Sequence, residues 1–169
     1  FVPQSAFGAN ERIVLGHIGV KNQGTSNLKK FLSYDGKLCD VAALCDVDSK
    51  VLGDARALVT KSTGRTVDVF EDYRKLLDRK EIDAVVISTP DHWHARMTID
   101  GCNAGKDVYC EKPLTHTILE GRKMVDAARS QKRIVQTGSQ QRSDAKFRQA
   151  CELVRSGRIG KLETVFVGI

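Results

Sequence analysis

The stretch Ile13-Val14-Leu15-Gly16-His17-Ile18-Gly19-Val20-Lys21-Asn22-Gln23-Gly24 decides the fold of this chain. Its first six residues form an apolar run that is typical of a buried strand. A glycine-containing turn follows, and a helical pattern then runs from about Asn22 to Ser33. A strand, a tight turn and a helix in this order predict the first half of a βαβ unit.

The same alternation continues along the chain. Five further apolar runs are predicted as strands, at residues 41–45, 67–70, 84–87, 108–110 and 134–137. The helical patterns after the first lie at residues 49–60, 72–79, 94–104, 115–130 and 144–156. Near-continuous apolar strands separated by helices predict an α/β fold, a doubly wound parallel sheet with helices on both faces. Ligands of such sheets bind beyond the carboxyl ends of the strands.

Size and composition exclude several classes of protein. The 169 residues suffice for one domain with a core, and no apolar run approaches the roughly 18 residues that span a bilayer. The formal charge is +6, but Lys and Arg are spread along helices, so neither nucleic acid nor membrane is expected as a partner. The five cysteines show no metal-ligand spacing, and we expect five unpaired thiols and no metal site.

The turn after the first strand resembles a dinucleotide fingerprint, G-x-G-x-x-G. Gly19 and Gly24 match its outer glycines, and Lys21 replaces the middle one. Asn22 lies between Lys21 and Gly24. Asp46 ends the second strand, where a carboxylate accepts hydrogen bonds from ribose hydroxyls and repels a 2′-phosphate. The sequence therefore predicts a cofactor site made by these residues, with NAD favoured over NADP.

Lys21 admits two interpretations. Its Cβ crowds the cofactor phosphates and weakens binding, or its ammonium reaches the pyrophosphate and partly replaces the lost close approach. Both remain open from the sequence.

The end of the fourth strand carries a second group of candidates. Ser88, Thr89 and Pro90 are predicted to contact the nucleotide, and Pro90 sets up the helix that follows. His92 is assigned to the cofactor site and His94 to catalysis, in a first helical turn that faces the crevice. The alternative for His94 is a ring satisfied by backbone hydrogen bonds.

The fifth strand ends in Glu111-Lys112-Pro113. An amine beside a bound nucleotide can support redox chemistry on a hydroxyl group, so Lys112 is predicted to be catalytic. Glu111 is assigned to the cofactor site, with a structural acid that bonds neighbouring backbone amides as the alternative.

Taken together, these motifs resemble a known family. They are Gly19-x-x-x-x-Gly24, Asp46, Thr89-Pro90-x-x-x-His94, Ala104-Gly105-Lys106 and Glu111-Lys112-Pro113, with Gly138–Arg142 and Gly157–Lys161 further along. The chain is similar from about Arg12 to Ile169 to the glucose–fructose oxidoreductase and inositol dehydrogenase family, Gfo/Idh/MocA.

The resemblance implies a two-domain NAD(P)-dependent oxidoreductase that acts on sugars, cyclitols or related polyols. Lys112 would contact substrate and nicotinamide ribose and help to move the proton. The family's further catalytic Asp and His lie in its second domain, and its full-length members are expected to form homo-oligomers. The isolated chain is then expected to bind NAD without turning over a polyol.

Two alternatives to a dehydrogenase remain for the function of the chain. They are a non-catalytic nucleotide-binding module and an NAD-dependent glycosidase of the same family. We divide the chain into a leader (1–10), a dinucleotide-binding Rossmann domain (11–141), and a linking helix with the first strand of a second, open-sheet domain (142–169). Polar and apolar residues alternate at 162–169, which predicts a half-exposed strand there. The leader is the tail of an export signal or a plain disordered segment, so cytoplasmic location and twin-arginine export to the periplasm both stay open.

Overall fold

The structure is a computed structural model, and it describes residues 12–168. Strands and helices alternate as predicted from the sequence. The strands are β1 Ile13–Ile18, β2 Cys39–Cys45, β3 Asp68–Phe70, β4 Ala84–Ile87, β5 Asp107–Glu111 and β6 Val135–Gly138. The helices are α1 Gln23–Leu32, α2 Ser49–Thr63, α3 Tyr73–Leu77, α4 Asp91–Asn103, α5 Ile118–Ser130 and α6 Ala145–Arg155, with a 3-10 turn at Gln140–Ser143.

The six strands form one sheet in the order β3-β2-β1-β4-β5-β6. The chain winds outward from β1 in both directions, so β1 and β4 are neighbours at the point where the strand order reverses. The predicted doubly wound parallel sheet is confirmed. Such a reversal leaves a crevice beyond the carboxyl ends of the two central strands, because their crossover helices lie on opposite faces.

Both faces of the sheet are covered, and adjacent residues of β2 show this. Leu44 belongs to the apolar cluster with α1 and α2, whereas Cys45 belongs to the cluster with α3 and α4. Successive strand residues point to opposite faces, so the two clusters lie on opposite sides of the sheet. The register of β1 against β2 skips Ala42, a bulge that lets Val41 and Leu44 face the same cluster.

The helix starts are set by local hydrogen bonds. Asp48 caps α2, because its side chain accepts hydrogen bonds from Lys50 N and Val51 N. Thr117 and Glu120 form a reciprocal capping box at the start of α5. Helix α4 begins at Asp91, three residues earlier than predicted, directly after Pro90.

The chain divides into two compact units, Phe1–Thr137 and Gly138–Ile169. In the second unit, Asp144 caps α6 by accepting hydrogen bonds from Lys146 N and Phe147 N. The strand predicted at 162–169 is wrong for residues 162–168, which have no regular secondary structure. A polar–apolar alternation yields a strand only beside a partner strand, since the ladder supplies its hydrogen bonds. The predicted leader lies outside the described residues.

Four of the cysteines are buried, and Cys151 is exposed. Burial raises the pKa of Cys45 to about 12 and that of Cys110 to about 11, so both remain thiols at neutral pH and pack as small apolar side chains. Within residues 12–168, no helix combines the length and the apolarity that crossing a membrane requires.

His17 is an unusual side chain for the interior of β1, because it is fully buried. Its ring packs edge-on against Phe31, with 5.5 Å between the ring centroids. Among the described residues, neither ring nitrogen has a hydrogen-bond partner. Burial lowers the pKa of His17 from 6.5 to about 3, so the folded chain keeps the ring neutral in mild acid whereas the unfolded chain takes up a proton.

We expect this difference to destabilise the fold as the pH falls from 6.5 towards 3. The loss of unfolding free energy from His17 should reach about 2 kcal/mol near pH 5, relative to pH 8. Urea unfolding of His17→Leu at both pH values should show a smaller pH dependence than the parent. The exposed His116→Leu is the control and should behave as the parent does. An unchanged pH dependence in His17→Leu would contradict the prediction.

Candidate functional site

An open crevice of about 680 Å³ lies beyond the carboxyl ends of the central strands, where the strand order reverses. Its walls come from the turn after β1, here called the glycine loop (residues 19–24), and from the segments after β2, β3 and β4. Seven of the residues predicted to bind cofactor line it: Gly19, Lys21, Asn22, Asp46, Ser88, Thr89 and Pro90. Three others lie outside the lining: Gly24, His92 and Glu111.

The glycine loop can only be built with glycine at its two outer positions. Gly19 has φ +80°, and a Cβ there would lie 2.8 Å from the backbone carbonyl carbon of Ser88. A Cβ on Gly24 would lie 2.1 Å from Gly19 O, which is far inside van der Waals contact. Asn22 in the same loop also has a positive φ, of 48°, and asparagine tolerates the left-handed region better than most residues do. The loop backbone is therefore open to the crevice.

Asp46 connects the end of β2 to this loop. Its Oδ2 accepts a hydrogen bond from Val20 N at 2.9 Å, and its Oδ1 accepts one from Asp48 N at 3.0 Å. The carboxylate thus sits in a fixed orientation at the crevice wall. Each oxygen has a second lone pair, so the group can still accept hydrogen bonds from a diol.

Lys21 extends from the glycine loop towards the segment after β2. Its Nζ lies 3.9 Å from Asp48 Oδ2, and the Lys21 side chain is 65% exposed. Its backbone φ is not positive, because the only non-glycine residues with positive φ among those described are Asn22 and Lys132. The lysine therefore replaces a glycine without backbone strain.

The crevice also contains side chains that the sequence reasoning missed. Asp72, Tyr73 and Arg74 line it directly after β3, and Trp93 and Met97 line it from α4. The first group could have been found, because it too follows the carboxyl end of a parallel strand. No sequence signal distinguished Met97 from an ordinary core residue.

Glu111 lies outside the crevice lining, in a buried polar network that joins three elements. Its Oε1 accepts a hydrogen bond from Asn27 Nδ2 at 2.9 Å, and Gln23 Nε2 lies 3.4 Å from the same oxygen. Asn27 Nδ2 also lies 3.0 Å from Ser88 Oγ. Asn27 and Glu111 are 7% and 4% exposed, so these bonds are shielded from water. The network ties α1, which begins in the glycine loop, to the residue before Lys112.

His94 anchors the other side of Lys112. It is buried, with Nδ1 2.6 Å from Pro113 O and Nε2 2.8 Å from Thr89 O. The predicted orientation into the crevice is wrong, because α4 starts earlier than expected and turns this ring inward. The alternative, a ring satisfied by backbone hydrogen bonds, describes the structure. Lys112 itself is exposed, and its peptide bond to Pro113 is cis.

His92, in the first turn of α4, is exposed to solvent, unlike the buried His94. Its ring centroid lies 6.1 Å from that of Trp93 and 6.3 Å from that of His116. In the described part of the chain, no group of three or more His, Cys, Asp or Glu side chains could hold a metal ion.

The crevice fits a dinucleotide. The glycine loop presents backbone at a point where any Cβ on Gly19 would meet Ser88, and α1 begins in this loop with no side-chain cap from Asn22, as a helix N-terminus that binds an anion does. Asp46 stands at the position that accepts the hydroxyls of an adenosine ribose. Lys112 follows β5, on the other side of the switch point from β2.

Comparison with known proteins gives a consistent result. The family model described as "Oxidoreductase family, NAD-binding Rossmann fold" (GFO_IDH_MocA) matches residues 13–139. A glycosyl hydrolase family 109 protein from Shewanella pealeana is 36% identical over 127 residues, a match that covers 72% of this chain and 27% of that protein. Inositol 2-dehydrogenase from Salmonella paratyphi B is 31% identical over 147 residues, which covers 86% of this chain and 42% of the enzyme.

Among solved structures, scyllo-inositol dehydrogenase from Lactobacillus casei with bound NAD(H) and scyllo-inositol superposes with a TM-score of 0.76. It is 26% identical, and the match covers 89% of this chain and 43% of the enzyme. The chain thus spans less than half the length of each of these relatives. Since the family model covers well over half of the chain, the chain belongs to the Gfo/Idh/MocA oxidoreductase family and is an NAD-binding Rossmann domain.

Proposed function

We propose that the protein containing this chain is an NAD-dependent dehydrogenase that oxidises a secondary hydroxyl of a sugar, cyclitol or related polyol. The observation that supports this most is the placement of Lys112. It is an exposed amine between the buried Glu111 and Pro113, whose carbonyl oxygen lies 2.6 Å from Nδ1 of the buried His94. A cation held at such a position stabilises an alkoxide as it develops.

The chain's own residues have separate tasks in this proposal. Gly19 and Asn22 leave the loop backbone open for the pyrophosphate, and Asp46 holds the adenosine ribose. Bound NAD supplies the hydride acceptor. Lys112 lowers the pKa of the substrate hydroxyl by its charge and assists the loss of the proton. His94 acts as a positioning residue, since both of its ring nitrogens face backbone carbonyls.

A second candidate function is the cleavage of a glycosidic bond with transient use of NAD. The 36% identity to a glycosyl hydrolase family 109 protein favours it. The two functions use the same crevice and the same lysine, but they differ in their net reaction. A dehydrogenase reduces one NAD for each polyol oxidised, whereas a glycosidase returns its NAD to the oxidised state in each turnover.

An assay of the whole protein separates the two candidates. Incubation with NAD and a panel of inositols and hexoses should produce NADH, measured by absorbance, in equal amount to the ketone formed. The same protein with nitrophenyl glycosides of N-acetylhexosamines should release no nitrophenol. Nitrophenol release without net NADH would overturn the dehydrogenase in favour of the glycosidase. NAD binding by calorimetry without either product would favour a non-catalytic module.

A further inference from the structure

Lys21 is the residue at which this chain departs from the glycine fingerprint, and the structure fixes the side of the crevice on which it lies. The glycine loop is bound to the end of β2 at two points, because Gly19 N donates to Cys45 O at 2.8 Å and Val20 N donates to Asp46 Oδ2. Lys21 follows directly. Its ammonium therefore lies beside the carboxylates after β2, and β1 and β4 separate that strand from β5.

The charged side chains that line the crevice leave the Lys21 ammonium able to interact with a ligand. Among residues 12–168, four carboxylates line the crevice, those of Asp46, Asp48, Glu71 and Asp72, against the two cations Lys21 and Arg74. The Arg74 guanidinium lies 3.1 Å and 3.0 Å from the two oxygens of Asp72, so the two side chains form an ion pair with each other. The contact from Lys21 to Asp48 is long, 3.9 Å, and solvent-exposed at both ends. Such a pair is weak, and its ammonium can turn towards a ligand anion.

We infer that Lys21 sets the cofactor selectivity of this chain. Its ammonium offsets part of the repulsion that Asp46 exerts on the 2′-phosphate of NADP, so the chain binds NADP(H) measurably as well as NAD(H). The inference rests on the nucleotide binding of the domain and not on the proposed reaction.

The physical reason is a difference in charge between the two cofactors. A 2′-phosphate adds nearly two negative charges at neutral pH, next to the ribose hydroxyl that Asp46 accepts. One unit charge at about 4 Å in water changes an affinity about fivefold. The ammonium thus acts mainly on NADP(H). A crowding Cβ or a contact with the pyrophosphate would instead change both affinities alike, because the two cofactors share that group.

Calorimetric titration of the chain with NADH and with NADPH tests this. In Lys21→Gln the affinity for NADPH should fall about fivefold to tenfold, while that for NADH changes by less than about twofold. A higher salt concentration should reduce the loss of NADPH affinity that Lys21→Gln causes, because salt screens the charge of the ammonium. Lys21→Gly should show the same ratio of the two affinities. Lys29→Gln removes the same charge from an exposed site on α1 and should leave both affinities unchanged.

Three results would overturn the inference. Equal losses for both cofactors in Lys21→Gln would assign Lys21 to the pyrophosphate. A gain for both in Lys21→Gly would assign it to crowding. A parent chain that binds NADH but shows no detectable affinity for NADPH would mean that the ammonium does not offset Asp46.

Discussion

Gly24→Ala is expected to reduce NAD affinity about a hundredfold and to lower the free energy of unfolding by about 2–3 kcal/mol. The added Cβ would lie 2.1 Å from Gly19 O and 2.8 Å from Gly19 C. Both atoms are backbone, so no side chain can move to make room, and the start of α1 must shift away from the loop. Calorimetry with NAD and urea unfolding of the same sample measure the two effects.

Gly53→Ala is the matched control for this change. Gly53 lies in α2, is exposed, and has no atom within 4 Å of the position that a Cβ would take. Alanine there should leave NAD affinity unchanged and raise the unfolding free energy by about 0.5–1 kcal/mol, since glycine is a poor residue in a helix interior. If Gly24→Ala bound NAD as tightly as Gly53→Ala does, the close approach in the loop would have no functional role.

Lys112→Met is expected to lower kcat of the whole protein about a thousandfold and to leave NAD affinity within about threefold of the parent. The side chain is exposed, so its replacement removes the cation without opening a cavity. The backbone at this point stays anchored through Glu111 and Pro113. Steady-state formation of NADH and calorimetry with NAD measure the two quantities.

The control for this variant is Lys123→Met on the exposed surface of α5, which should keep the parent kcat. Lys112→Arg adds a second test, because it keeps the charge but changes its shape and acidity. It should recover part of the binding of substrate with little recovery of kcat, since a guanidinium does not release its proton. A kcat near the parent value in Lys112→Met would exclude the lysine from the chemistry.

The fold could be predicted from the sequence because its signals are local. Apolar runs of strand length, turn glycines and a capping aspartate such as Asp48 each act within a few residues. The same local rules failed at residues 162–168, where an alternating pattern has no neighbouring strand within residues 12–168 that would make it part of a sheet. A strand is defined by its partner, and no periodicity in one segment can supply one.

The candidate site was only partly predictable for a related reason. Strand ends carry a sequence signal, and it located Asp46 and Ser88 at the crevice. The orientation of a buried side chain depends on residues far away in sequence. Asn27 meets Glu111 across 84 positions, and His94 meets Pro113 across 19. Neither contact leaves a pattern in the chain, so a histidine expected to face the crevice turned out to face the backbone.

The network of Asn27, Ser88 and Glu111 also bears on how the site comes into being. Its hydrogen bonds join Asn27 to Ser88, 61 positions away, and to Glu111, 84 positions away, so each bond forms only when the two segments that it joins are both in place. Because Asn27 takes part in both bonds, the glycine loop and the Lys112 turn are expected to become ordered in one cooperative step rather than separately. We therefore expect the amides at the start of α1 and at the end of β5 to exchange their hydrogens together, as one unfolding unit.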